Sequence, residues 1–287
     1  MIQDIYPSKL YNAYTPHTIQ PHDHLLYFDD AGQLLAKVQD GALQFLTGHD
    51  AAGETIYLFS CDAQRFFLTR QAPDAPEGFS YYPIRELRDQ SAGKSLFCAF
   101  TAYHLWKWYH DNRFCGVCAG TLRLHPKERA LSCPDCGNVL YPRINPAVIV
   151  GVIKGDALLI TRYNRGYAHN ALVAGFTEIG ETLEETVQRE VMEETGIRVK
   201  NIRYYKSQPW GMAQDILVGF YCEADGDDPI RMDSQELRFA EWVKREEIVL
   251  QPNHLSLTNE MMQMFRDGKI TALPEGGDAC TASSHLT

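Results

Sequence analysis

Residues 175–197 read GFTEIGETLEETVQREVMEETGI and crowd seven glutamates into a predicted strand end, a loop and one helix. The helix has a start and a stop. Thr182, followed three residues later by Glu185, is a capping box: the hydroxyl and the carboxylate satisfy amide groups that the first turn leaves unpaired. Gly196 stands where a left-handed residue ends a helix. At about 100° per residue, Leu183, Val187 and Val191 form the apolar stripe. Glu190 and Glu194 fall on that same side, with Glu193 beside them, at the i, i+3, i+4 spacing that brings side chains together. Carboxylates next to a buried stripe lose water and repel one another. Hard divalent cations remove that penalty, because carboxylate oxygens are their preferred ligands. Arg189 projects on another side, four residues from both Glu185 and Glu193. It is expected to hold the helix and orient a carboxylate without entering the metal cluster.

A glutamate-rich run is ordinarily a solvated face. Here the glutamates sit in a fixed pattern, G-x5-E-x7-R-E-x-x-E-E-x-G followed by an apolar residue. Gly175, Glu181, Arg189, Glu190, Glu193, Glu194, Gly196 and Ile197 fill it at every position.

The second strong signal is Cys115-x-x-Cys118, fourteen residues, then Cys133-x-x-Cys136. Four thiolates in two knuckles make a closed tetrahedral zinc site. With no open coordination position, one Zn2+ would be structural, and its binding would fold a segment too short for a core of its own. A redox pair does not need two matched motifs. Arg123, Lys127 and Arg129 alone are weak support for a nucleic-acid ribbon.

The chain has 287 residues, 45% of them hydrophobic, which leaves room for about two domains. A net charge of −10 argues against a general nucleic-acid binder, which needs basic surface to displace counterions from phosphates. It leaves open the binding of a single nucleotide end. The opening MIQDIYPSKL has no basic segment before an apolar run, so no signal peptide is expected. No apolar run approaches the ~18 residues of a membrane span, and the expected compartment is the cytoplasm.

Short β-type runs at 25–28, 34–38, 43–46, 55–60 and 64–68 predict a small β-rich domain over residues 1–110. Residues 94–110 predict an aromatic-rich helix, and 111–141 the ribbon. Strands are expected at 148–153, 157–161, 172–176, 203–207, 216–223 and 239–243, with a final helix from Gln251. Residues 142–270 thus read as a mixed sheet covered by helices on both faces, an α/β (α+β) class. Residues 271–287 are small and polar and are expected to be disordered.

The pattern at 175–197 resembles the Nudix box. Combined with the four-cysteine ribbon, Tyr141-Pro142-Arg143, Gly175-Phe176 and Ser207-Gln208-Pro209-Trp210 in that order, the chain resembles the NADH pyrophosphatase subfamily of Nudix hydrolases from about Phe114 to about Phe265. The resemblance implies a Nudix α/β/α sandwich. It implies cleavage of NAD(H) to nicotinamide mononucleotide and AMP, removal of NAD caps from RNA 5′ ends, and a homodimer. It implies two or three divalent ions, Mg2+ or Mn2+, on Glu190, Glu193, Glu194 and Glu236, with Glu194 or Glu193 as the base. Phe176 and Trp210 match the aromatic pair that sandwiches nicotinamide, with Trp210 able to reach across a dimer. Tyr141 and Gln208 fall at substrate-side positions, and Arg85 loosely matches an N-terminal-domain arginine. Gly175, Glu181, Arg189 and Gly196 are structural members of the box.

The resemblance breaks at Gly211-Met212-Ala213-Gln214-Asp215, where the family has prolines, a second aromatic and a serine. Glycine predicts a more flexible loop there, and Asp215 a negative charge near an anionic substrate. That keeps a second enzyme reading open, a Nudix hydrolase of another nucleoside diphosphate such as an ADP-sugar. A non-catalytic nucleotide sensor or nucleic-acid binder fits less well, because every box residue is present.

Overall fold

The computed structural model describes residues 1–164 and 168–272. Residues 273–287, which hold most of the tail expected to be disordered, lie outside them. Backbone contacts divide the chain into two compact units. One holds Ile2–Ile144 and Pro209–Asp215; the other holds Met1, Asn145–Gln208 and the chain from Ile216.

The first unit is β-rich, as its short alternating runs predict. Its strands are β1 (Leu10–Tyr11), β2 (His24–Leu26), β3 (Gln33–Gln39), β4 (Ala42–Gln44), β5 (Leu46–Thr47), β6 (Thr55–Cys61), β7 (Gln64–Thr69) and β8 (Ser80–Pro83). They form a sheet of order β1-β6-β7-β2-β5 and a smaller one of order β4-β3-β8. Asp40 and Gly41 both take positive φ, 52° and 73°, as a two-residue hairpin between β3 and β4 requires. Helix α1 (Ile84–Gln90) has no counterpart in the sequence reading. It buries only Ile84 and Leu87, too few apolar positions to show a period. Arg85 is exposed on its first turn.

Helix α2 (Gly93–Asp111) matches the predicted helix within a residue at each end, and buries Leu96, Phe97, Phe100, Leu105, Trp106 and Tyr109 among others. Its aromatics are core. Trp106 packs on Phe28 and Tyr103 with ring centroids 5.2 and 5.3 Å apart. The ribbon follows as β9 (Arg123–Leu124), β10 (Leu131–Ser132) and β11 (Val139–Leu140), paired antiparallel.

Residues 209–215 belong to this unit and correct one expectation. Gly211 is not a source of flexibility. A Cβ there would lie 2.2 Å from the Phe100 carbonyl oxygen, so only glycine lets the turn rest on α2. Trp210 meets the Phe100 ring edge-on at 5.7 Å, and Gln214 accepts a 2.9 Å hydrogen bond from Arg143. Asp215 is buried, 6% exposed, rather than a free surface charge.

In the second unit the strands are β12 (Asn145–Lys154), β13 (Ala157–Tyr163), β14 (Val173–Phe176), β15 (Val199–Trp210), β16 (Asp215–Ala224) and β17 (Leu237–Lys244). They form a six-stranded sheet of order β15-β16-β12-β13-β17, with β14 on β12. Helices α3 (Leu183–Thr195) and α4 (Leu257–Arg266) cover its two faces. The strand period decides which residues meet which helix. Val148, Val150, Val152, Leu159 and Val173 pack with Val187 and Val191 of α3. Ile149, Ile153, Leu158, Ile160 and Leu172 pack with Met261, Met262 and Phe265 of α4. Each fully buried side chain of this size contributes about 1.5–3 kcal/mol. Helix α4 starts six residues later than expected, at Leu257. Ser256 caps it by accepting from Asn259 N–H at 3.1 Å, and the Asn259 side chain accepts from Gln251 N–H at 2.8 Å, holding 251–256 out of the helix.

Candidate active site and zinc centre

The box folds as its residues require. Gly175 lies in β14, paired with Val148 of β12. A Cβ on Gly175 would lie 1.9 Å from the Glu190 carboxyl carbon and about as near its oxygens. Only a glycine lets that carboxylate lie against the strand. Gly175→Ala should therefore displace Glu190 and lower turnover about a hundredfold, with the melting temperature little changed. Wild-type kcat in that variant would remove Glu190 from the reaction.

Thr182 and Glu185 form the capping box of α3: Thr182 N–H donates to the Glu185 carboxylate at 2.7 Å, and Glu185 N–H to the Thr182 hydroxyl at 3.2 Å. Gly196 closes the helix at φ 70°, its N–H donating to Met192 O. Arg189 orients more carboxylates than its helical spacing suggests. Its guanidinium grips Glu181 with two bonds of 2.6 and 2.9 Å and donates to Glu190 at 2.8 Å and Glu193 at 3.0 Å. It also donates to the Phe176 carbonyl oxygen at 2.9 Å. Glu185 is left to the cap. The planar five-donor fork makes this possible, where a point charge could not reach all four partners. The Arg189 bonds and the Glu178 amide hold the Glu181 carboxyl down at about 2. It is ionised and committed to the clasp.

Glu194 is different. It is 2% exposed, and among the described residues no Lys or Arg pairs with it. Burial first, then the nearby Glu190 and Glu236 charges, push its carboxyl up to about 8, against the lowering effect of the Tyr163 hydroxyl. Tyr163 donates to the two Glu194 oxygens at 3.1 and 3.3 Å. Its own titration is pushed well above 10 by burial and by Glu194, so it stays a donor. Burial also raises the Glu190 carboxyl, opposed by Arg189. Glu193 is exposed, its side chain 60% accessible. Glu236 lies on the loop before β17, close enough to act on both Glu190 and Glu194.

A buried carboxylate that no Lys or Arg among the described residues pairs with, beside two more that disfavour its charge, is a donor set that fits a divalent ion. The glutamates are more widely spread than the thiols: among the described residues, only Cys115, Cys118, Cys133 and Cys136 form a set of three or more ligating groups with donor atoms all within 4.8 Å.

Those four cysteines come together as predicted. Cys115 and Cys136 sulfurs lie 3.6 Å apart, and those of Cys118 and Cys133 lie 3.4 Å apart. Sulfurs at about 2.3 Å from a tetrahedral zinc are about 3.8 Å from one another. The two knuckles repeat one geometry. Cys115 N–H donates to Gly120 O and Cys133 N–H to Asn138 O, both at 2.8 Å, and Ala119 and Gly137 take φ of 62° and 74°.

The other predicted residues differ in exposure. Phe176 ends β14 with its side chain exposed, 54%. Tyr141 is exposed and its hydroxyl donates to Glu128 at 2.8 Å. Tyr141 also lines a cavity of about 320 Å³ with Trp108, Arg143 and Gln214. Gln208, expected near substrate, is 0% exposed. Its amide donates to Leu255 O at 2.8 Å and accepts from Leu257 N–H at 2.7 Å, so it anchors the start of α4. Tyr163 and Asn164 had no motif to mark them. The one available signal was the period of two along β13, which sets Tyr163 on the side of Leu159, facing α3.

Residues 143–265 match the NUDIX domain, and residues 110–141 match the NADH pyrophosphatase zinc ribbon domain. NAD-capped RNA hydrolase NudC of Klebsiella pneumoniae is 40% identical over 173 residues, 59% of this chain and 65% of that protein. The protein of that name in Salmonella typhi is 40% identical over 172 residues, again 59% and 65% of the two chains. The chain therefore spans just under two thirds of the length of these curated relatives. A solved NUDIX hydrolase from Nitrosomonas europaea is 20% identical with a TM-score of 0.49, covering 55% of this chain and 92% of that one.

Proposed function

We propose that this protein hydrolyses the pyrophosphate bond of NAD(H), giving nicotinamide mononucleotide and AMP, and removes NAD caps from RNA 5′ ends. One observation carries the reading: a complete acidic box with a buried carboxylate, Glu194, shares the chain with a ribbon of the NADH pyrophosphatase kind. The relatives' name supports the RNA substrate.

Glu190, Glu193, Glu194 and Glu236 are assigned to hold two or three divalent ions, Mg2+ or Mn2+. Bound there, the ions neutralise the pyrophosphate and lower the pKa of a bound water. Glu194 takes the proton of the water that attacks phosphorus in line, with Glu193 as the alternative base. Arg189 and Glu181 keep the box loop and helix in register, and Gly175 gives Glu190 its place. Phe176, Trp210 and Tyr141 are proposed substrate contacts through their rings. Gln208, saturated and buried, acts by holding α4. The protein is proposed to be a cytoplasmic homodimer, which sedimentation and fractionation would check. Among the described residues no helix is long and apolar enough to cross a membrane.

Hydrolysis of another nucleoside diphosphate, such as an ADP-sugar, is the second reading, favoured by the departure at residues 211–215. Initial rates with Mg2+ and Mn2+ on NADH, NAD+, ADP-ribose and an NAD-capped RNA separate the two. Nicotinamide-bearing substrates should turn over fastest, with the preference lost in Trp210→Ala. A preference for ADP-ribose that ignores Trp210→Ala would replace the first reading with the second.

A further inference from the structure

We propose that Tyr163 and Asn164 are positioning residues of the acidic site, Tyr163 for the carboxylate of Glu194 and Asn164 for the loop that carries Glu236. The inference rests on the assignment of Glu194 and Glu236 to a divalent ion.

The two residues are consecutive, at the end of β13, yet they serve opposite sides of the site. Pairing of β13 with β17 runs regularly from Ala157↔Lys244 to Arg162↔Phe239, then shifts, so that Tyr163 faces Leu237 and Arg238 is left over. A bulge of this kind ends a ladder and re-aims the chain. Beyond it, Asn164 N–H donates to Glu236 O at 2.8 Å. The Asn164 side-chain amide lies 2.9 Å from Ser234 O, 3.1 Å from Gln235 O and 3.4 Å from Leu237 O. An amide has two N–H groups, so it holds two of these carbonyls at a time. The far side of the same loop is tied to the end of α3, where Asp233 N–H donates to Glu194 O at 2.9 Å and Arg231 N–H to Thr195 O at 2.8 Å. Glu236 therefore sits on a loop pinned to the backbone of Glu194 on one side and to Asn164 on the other.

Tyr163 completes the frame. Its hydroxyl accepts from Ala174 N–H at 3.0 Å, and of the oxygens its hydrogen can reach, those of Glu194 at 3.1 and 3.3 Å lie nearer than the carbonyls of Leu172 and Ala174, both at 3.4 Å. One dipeptide thus sets the orientation of one carboxylate and the place of another, neither of which a motif in β13 announces. Groups that orient ligands in this way are worth about ten- to a hundredfold in metal affinity.

The test is Mn2+ binding to the full chain, without substrate, followed by the electron paramagnetic resonance of free Mn2+. Wild type, Tyr163→Phe, Asn164→Ala and Glu194→Gln are compared, with zinc content and melting without added Mg2+ or Mn2+ as controls on the fold. Tyr163→Phe and Asn164→Ala should each weaken Mn2+ binding about tenfold or more. The Mn2+ concentration giving half-maximal rate should rise in step, while KM for the dinucleotide stays within about twofold. If Asn164→Ala melts early without added Mg2+ or Mn2+, Asn164→Ser, polar but too short to reach the carbonyls, takes its place. Binding within twofold of wild type in both variants, alongside weakened binding in Glu194→Gln, overturns the proposal and leaves the site assignment standing. Unchanged binding in Glu194→Gln overturns the site assignment and the proposal with it.

Discussion

Turnover of Glu194→Gln is expected to fall about a hundred- to ten-thousandfold, the usual contribution of a positioned acid or base. Glutamine keeps the shape of the side chain and an oxygen for the Tyr163 hydroxyl, so the fold should stand. The same substitution should stabilise the metal-free protein at alkaline pH. The Glu194 carboxyl is raised to about 8 in the folded chain, chiefly by burial. Below the ordinary carboxylate range it is protonated folded or unfolded, and contributes nothing. As pH rises toward 8, the unfolded chain gives up the proton while the folded chain holds it, so stability falls by at most about 1.4 kcal/mol per pH unit. Glu194→Gln is free of that loss. Thermal melts of both proteins without added Mg2+ or Mn2+ at pH 5 and pH 9 should show the variant gaining on wild type chiefly at the higher pH. Added Mn2+ should raise the wild-type melt most at pH 9 and the variant far less. An equal gap at both pH values would mean that Glu194 is not held protonated by its surroundings. Near-normal kcat would remove it from the reaction.

Cys133→Ser should abolish stoichiometric zinc and unfold the ribbon. Cys133 is 2% exposed and its sulfur lies 3.4 Å from that of Cys118. The ribbon's three strands are two residues each, and they bury little beyond Leu122, Ala130 and Leu131 with the cysteines. A segment so small depends on its ion, and structural zinc sites bind with about 10–16 kcal/mol. Atomic absorption should read one zinc per chain in wild type and none in the variant, with a lowered melting temperature and protease cleavage near residues 115–136. A variant that kept its zinc and its melting temperature would return the paired cysteines to a redox reading.

The elements that local chemistry decides were legible in the chain. Thr182, Glu185 and Gly196 bound α3 where capping rules place them. The alternation along β12 sorts its residues between the two helices. The four cysteines meet because two short knuckles and one ion leave few other arrangements. Other features come from contacts far apart in sequence, which no local pattern carries. Gly211 looked like a flexible link, but the Phe100 carbonyl requires it. Gln208 looked like a substrate contact, but the start of α4 consumes its amide. Arg189 was expected to orient a carboxylate; helical spacing alone misses that its side chain is long enough to reach Glu181, Glu190, Glu193 and the Phe176 carbonyl together.

The sequence by itself determined the acidic box, the zinc ribbon and a two-faced sheet, because each follows from residue type at fixed spacing. Only the tertiary structure decided which of the seven glutamates is buried, and that Tyr163 and Asn164 stand beside the site. A carboxylate's burial depends on what the sheet and the neighbouring loop bring over it, and those arrive from β13 and the 231–237 segment, tens of residues away.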